Sequence, residues 1–572
     1  MFSHPGFDHV NDESMLDAHG SVLLILPILG FVGHLIYNKY AYGISSIPGP
    51  FFAAYTDLSR FLVVWGRRPE RRHVELHKRY GPLVRLGPNC VSVSDPAAIK
   101  TIYGLASGYV KVGPTQRRLQ PSLSRHLSKM TKGRRWLTTS YEGKQSSFYT
   151  VQQQAVSRDG HLLQGMFNTT DEQYHAMLRR AVNNAYAMST LVQFEPLVDS
   201  TTTEFFKQLT RRYADRSDQI CDLGEWLQFY AFDVIGELTF SKRLGFVEHG
   251  TDVDDIISNL ESALGYFAVI GQIPMLDKLL MKNPIRMYLS RWGVINATSP
   301  VAVFAKSRMS SRLTGLEEKP PGTPWTKSST DTSTRRRDFL SRFLEAGDKD
   351  PAFMTPERVL SLTSANVFAG SDTTAITLRA IFYYLLKNLH TLGALRKEIA
   401  QAETDGVFTR DDKLVRWAEA NSLPYLGAVI KESLRIHPAA GLPLERVVPH
   451  GGATICGRFF PAGTIVGCSA WTIHRDRGVF GEDVDVFRPE RWLEDPVRAA
   501  EMNQVLFSFG AGARTCAGKN ISYLEMYKLV PAMLRTFDIQ LAYPEREWKL
   551  DNRWFVKQSE FYVRLTTRGT RR

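Results

Sequence analysis

From Gly20 to Tyr37 the chain reads GSVLLILPILGFVGHLIY, with no Asp, Glu, Lys or Arg. As a helix rising 1.5 Å per residue it reaches roughly 27 Å, enough for a thin bilayer such as that of the endoplasmic reticulum. Asp8, Asp12, Glu13 and Asp17 precede it, while Lys39, Arg60, Arg67, Arg68, Arg71 and Arg72 follow. That asymmetry puts residues 1–19 in the lumen, a single-pass anchor at 20–37, and the rest of the chain in the cytosol. A cleaved signal peptide fits less well, because the basic n-region and an A-x-A site are both missing. The prolines of Gly43-Ile-Ser-Ser-Ile-Pro-Gly-Pro50 make 38–50 a stiff hinge that holds a globular body, 51–572, near the bilayer.

Within that body the pattern alternates between helix and short strand. Leu83–Leu86 and Cys90–Val93, around Gly87-Pro-Asn, predict a hairpin, and Asp95-Pro96 caps a short helix. Residues 171–310 read as mostly helical. A helix of about 35 residues starts at Thr355-Pro356-Glu357, with an N-cap hydroxyl and Pro at N1, and must cross the whole core. Beyond 441, strands and turns alternate; one more helix runs from Cys516 to about Phe537, before a strand-rich tail. The fold class is mainly α with small β-sheets. Residues 317–337 form a Pro/Ser/Thr-rich flexible loop.

Composition narrows this little. The 572 residues are 43% apolar and 23% charged, so the chain is globular rather than disordered. The net charge of +13 suits an anionic partner. Much of it lies in 112–146, where eight Lys/Arg meet only Glu142. That segment has few aromatics, which argues against nucleic acid. It is either a lineage-specific basic insertion or retained non-coding sequence. Five scattered cysteines form no disulfide framework and no CxxC zinc pair.

One of them carries the chemistry. Phe509-Gly-Ala-Gly512-Ala-Arg514-Thr-Cys516-Ala-Gly518 has a use for each part if Cys516 is a thiolate ligand to haem iron. Free N–H groups at a helix start favour negative sulfur. Gly512 and Gly518 allow tight turns and close approach, Phe509 covers the sulfur, and Arg514 is placed to pair with a propionate. The alternative is a Gly-rich turn around a buried cysteine.

At these residues the sequence resembles the cytochrome P450 family of haem-thiolate monooxygenases, over about residues 45–565. It is similar to the fungal microsomal, pisatin demethylase-like group. Ala369-Gly370-Ser371-Asp372-Thr373-Thr374 resembles the family's oxygen-activation segment, which implies that Ala369 and Gly370 lie over the haem, the glycine opening space there, and that Asp372 and Thr373 relay protons. Glu432-Ser-Leu-Arg435 with Arg491 of Pro489-Glu-Arg-Trp492 resembles the Glu–Arg–Arg structural lock. His175 stands where the family has Trp, four residues before Arg179; both, with Arg446, are implied propionate partners. The resemblance makes 51–572 a catalytic domain carrying heme b. It implies insertion of one oxygen atom from O2 into a small, largely apolar substrate by hydroxylation, epoxidation or oxidative demethylation, in fungal secondary metabolism or detoxification. No GxGxxG follows a strand, so a separate reductase is expected, and the resemblance implies that it is an NADPH-dependent diflavin cytochrome P450 reductase. The rivals are a haem-thiolate isomerase or dehydratase needing no external electrons, a non-catalytic haem protein, and a tethered interaction protein without haem.

Overall fold

The computed structural model describes residues 12–104, 146–153, 162, 164–216, 218–296, 300–313 and 338–569. The basic residues 112–145 and the loop 317–337 lie outside the described residues. The first helix runs Asp12–Tyr40, with Pro27 inside it. Its apolar side chains Leu26, Ile28, Leu29, Phe31, Val32 and Ile36 are exposed. Among the described residues no helix is long and apolar enough to cross a membrane; the side chains of 12–25 lie outside them. Packing adds to the stiffness that the prolines of the hinge imply. Ile44 and Ile47 are buried in one cluster with Val91 and Phe460, and Arg85 donates to the carbonyls of Asn38 and Lys39 at 3.0 and 3.1 Å. Arg60 drops out of the basic flank, because it is buried against Glu445 at 2.5 Å.

The predicted hairpin forms as Leu83–Gly87 and Cys90–Val93. It joins Ile465–Cys468 and Leu444–Val447 in a four-stranded sheet, in which Cys90–Val93 runs parallel to Ile465–Cys468. A second sheet packs Cys221–Asp222, Tyr562–Thr567 and Phe537–Leu541; two hairpins, 453–460 and 549–559, complete the β structure. All of this flanks a helical body.

That body is built around the helix Pro356–Lys387, whose 32 residues span roughly 48 Å. Pro356 is at N1 as predicted, but Thr355 makes no side-chain capping bond. Against the long helix lies Leu223–Phe240, nearly all of it buried. The last helix, Lys519–Thr536, begins three residues after Cys516. Thr374 Oγ1 meets Ser522 Oγ at 3.0 Å, fixing the long helix against this last one.

A buried ion cluster holds the helix Pro424–Ile436 to the chain before the cysteine. Arg435 donates from Nε and Nη2 to both oxygens of Glu432 at 2.8 Å. The same carboxylate accepts from Arg491 Nε at 3.1 Å, the Arg488 amide at 3.0 Å and the Trp492 indole at 2.9 Å. Arg435 also reaches the carbonyls of His474, Val484 and Val486. The i, i+3 spacing of Glu432 and Arg435 is common on helix surfaces, but here both side chains are fully buried. Replacing Glu432 by Ala leaves the buried Arg435 guanidinium without its anion, while Arg491 keeps Asp483 at 2.9 Å, so stability should fall by about 3–5 kcal/mol. Thermal unfolding checks this; a loss below about 1 kcal/mol, the scale of a surface pair, would contradict it.

Candidate functional site

The cysteine loop is shaped by backbone bonds. The Gly510 amide donates to Phe507 O, and the Cys516 amide to Phe509 O, both at 2.9 Å. Gly510 and Gly512 have φ of 67° and 68°. A Cβ on Gly512 would stand 1.6 Å from the Tyr103 carbonyl oxygen, so only glycine fits. Gly518 needs no such freedom, its φ being −79°. Its contribution is its N–H, which with that of Lys519 pulls the Cys516 thiol down. The Phe509 ring packs 5.5 Å from that of Tyr523.

Cys516 is exposed, whereas Cys90, Cys221 and Cys468 are buried. Yet burial pushes its thiol up, against the pull of the Gly518 and Lys519 amides and the Arg179 and Lys519 charges. A sulfur that is both accessible and surrounded by protein faces an opening inside the molecule. The long helix shows the same sign: Ala369 is exposed although Val367 and Ser371 beside it are buried. Tyr186 lies between these two elements. Its hydroxyl donates to Asn366 Oδ1 at 2.7 Å, and the sulfur's charge opposes its ionisation.

Cations gather at one side. His175 is buried, held neutral with a pKa of about 3 by burial and by the charges of Arg514, Arg179 and Arg446. His175 and Arg179 share one face of the helix Glu172–Val182. Arg514 is paired: it meets Glu172 at 2.7 Å and donates to the carbonyls of Met166 and Thr169. It therefore ties the loop to that helix rather than standing ready for a propionate. Arg179 donates to Thr515 O at 2.5 Å, and Arg446 donates to Glu445 O at 2.7 Å, its guanidinium 5.0 Å from the Tyr103 ring centroid. Among the described residues neither has a carboxylate partner. Three guanidiniums against one carboxylate leave two positive charges, which is what a group with two propionates would neutralise. The donor set fits haem: a sulfur supported by amides at an internal opening, with two spare arginines near it.

On the long helix, the acid and the alcohol face different ways. Thr373 Oγ1 bonds back to Ala369 O at 2.8 Å, one turn earlier. Asp372 is buried; its Oδ1 accepts from Gln228 Nε2 at 2.6 Å, and Gln228 Oε1 accepts from Arg379 at 2.9 Å. Burial pushes Asp372 up, while Lys557, Arg379 and the Gln228 bond pull it down. Gly370 does not open space over the site. A Cβ there would stand 3.0 Å from Ile235, so this glycine lets the two central helices approach. Gln228, Arg379, Tyr186 and His474 were invisible to sequence reasoning, since each is recognised only by a partner far away in the chain.

A profile of the family Cytochrome P450 matches residues 138–564. A cytochrome P450 monooxygenase of Aspergillus terreus is 42% identical over 519 residues, covering 91% of this chain and 94% of its own length. Cytochrome P450 monooxygenase cicH of Emericella nidulans is 40% identical, covering 96% and 99% respectively, and asR2 of Sarocladium schorii is 35% identical, covering 95% and 96%. With the cysteine loop, the long helix and the buried Glu432 cluster in one fold, these matches make the chain a member of the cytochrome P450 family.

Proposed function

We propose that the chain is a haem-thiolate monooxygenase that transfers one oxygen atom of O2 to a small, largely apolar organic molecule in fungal secondary metabolism or detoxification. The observation that carries this reading is the Cys516 sulfur, open to the interior and supported by two backbone amides. Cys516 would supply the thiolate ligand, while Arg179 and Arg446 would hold the two propionates and His175, neutral, would pack beside them. When bound, the haem-thiolate supplies the activation of dioxygen. The protein's own work is then proton supply and water exclusion. Thr373 can turn its hydroxyl from Ala369 O toward the opening and present a proton there. Asp372, raised in pKa by burial, would return that proton to Thr373 only after turning from Gln228, which holds it in the resting arrangement.

Electrons would come from NADPH through a separate diflavin reductase. The endoplasmic reticulum membrane, with the catalytic body in the cytosol, is the proposed location. Two exposed apolar patches support a body resting on lipid: Phe51, Phe52, Leu58, Leu62 and Trp65, and then Met275, Leu279, Leu280, Ile285, Tyr288 and Trp292. The helix Leu58–Trp65 packs on Ile256–Ile270, which leads straight into the second patch.

Cys516→Ala should abolish the red-shifted absorption band of the reduced carbon monoxide complex; persistence of the band would mean that another residue binds the iron. Thr373→Ala should divert electrons to peroxide and lower product per NADPH on the order of 10²-fold, the scale of a lost general acid. An unchanged yield would remove the relay. Deleting residues 1–40 should leave residual vesicle binding that Leu62→Asp with Ile285→Asp abolishes; flotation of the truncated protein independent of those two changes would refute the lipid-facing patches.

A further inference from the structure

The helix Pro424–Ile436 leaves four carbonyls without partners inside it, as every helix end does. Ser433 O takes the His437 amide at 3.0 Å. Leu434 O takes the Ser508 hydroxyl at 2.7 Å. Arg435 O meets His474 Nδ1 at 2.9 Å, and Ile436 O takes Arg475 Nη2 at 3.5 Å. Two of the four are thus used by the chain that leads to Cys516, one directly through Ser508 and one through His474.

His474 is fully buried and engages both ring nitrogens. Its Nε2 lies 2.8 Å from the Phe507 amide. A backbone N–H can only donate and a carbonyl can only accept, so Nε2 is the acceptor and the proton sits on Nδ1. From Phe507 the path to the cysteine is short: Phe507 O holds the Gly510 amide, and Phe509 O holds that of Cys516. The Glu432 carboxylate bonds Arg435, Arg488, Arg491 and Trp492, and among the described residues it reaches nothing in 507–516.

We infer that His474 is the positioning residue of the cysteine loop, a neutral hydrogen-bonded splice that sets where the loop begins against the end of the Glu432 helix. The ion cluster holds the preceding segment; the histidine, with Ser508 beside it, holds the start of the loop. This rests on the haem-thiolate reading proposed above, and the experiment separates the two.

Full-length protein, His474→Leu and His474→Gln are expressed with haem precursor. Amide exchange at Phe507 and the spectrum of the reduced carbon monoxide complex are then recorded. In the Leu variant, Phe507 should exchange roughly tenfold faster, the worth of one buried hydrogen bond, and the short-wavelength band of a lost thiolate should grow. Gln, whose amide offers an acceptor near the Nε2 position and a donor beside it, should restore both signals. A folded Leu variant with the exchange and band of the wild type would overturn the assignment. If Leu does not fold, Gln decides: recovery supports the splice, and fast exchange at Phe507 in a folded Gln variant overturns it. A wild-type protein that takes up no haem would fail the functional reading instead, while exchange at Phe507 would still test His474.

Discussion

The proposed haem-thiolate role asks the Cys516 sulfur to carry negative charge inside a protein that resists charge there. Burial alone pushes the Cys516 thiol up. The local chain opposes this with the Gly518 and Lys519 amides at the start of the last helix and with the Arg179 and Lys519 charges. Each contribution is modest, and a cation at the opening is the partner that would complete them. The tight turns at Gly510 and Gly512, and the amide bond from Cys516 to Phe509 O, serve to hold the sulfur where those groups can act.

A second imbalance points to the same chemistry from another direction. Buried or half-buried guanidiniums are normally matched by carboxylates. Around His175 they are not: Glu172 serves Arg514, while among the described residues Arg179 and Arg446 bond carbonyls and meet no carboxylate. The neutral histidine adds no charge to the group. An anionic ligand with two carboxylates, flat enough to lie between a helix and a loop, accounts for the surplus.

What the sequence made legible was local. The long helix, the hairpin at 83–93, the cysteine loop and the Glu432–Arg435 pair are set by periodicity, turn residues and short spacing, so they could be read directly. Roles that depend on distant partners could not. Arg514 looked free for a propionate until Glu172, 342 residues away in the chain, was seen to hold it. Gly370 looked like open space until Ile235 filled its place. The prolines of 38–50 gave a stiff hinge, but not the burial of Ile44 and Ile47 in a cluster formed mostly by later segments. Arg60 looked like a cytosolic flanking charge, and only the fold shows its pairing with Glu445.

The central claim is that the sulfur of residue 516 binds iron, and X-ray absorption at the iron edge of the purified protein tests it most directly. One sulfur in the iron's first coordination sphere is the result the account predicts. A sphere of nitrogen and oxygen alone, in protein that has taken up its haem, would contradict it.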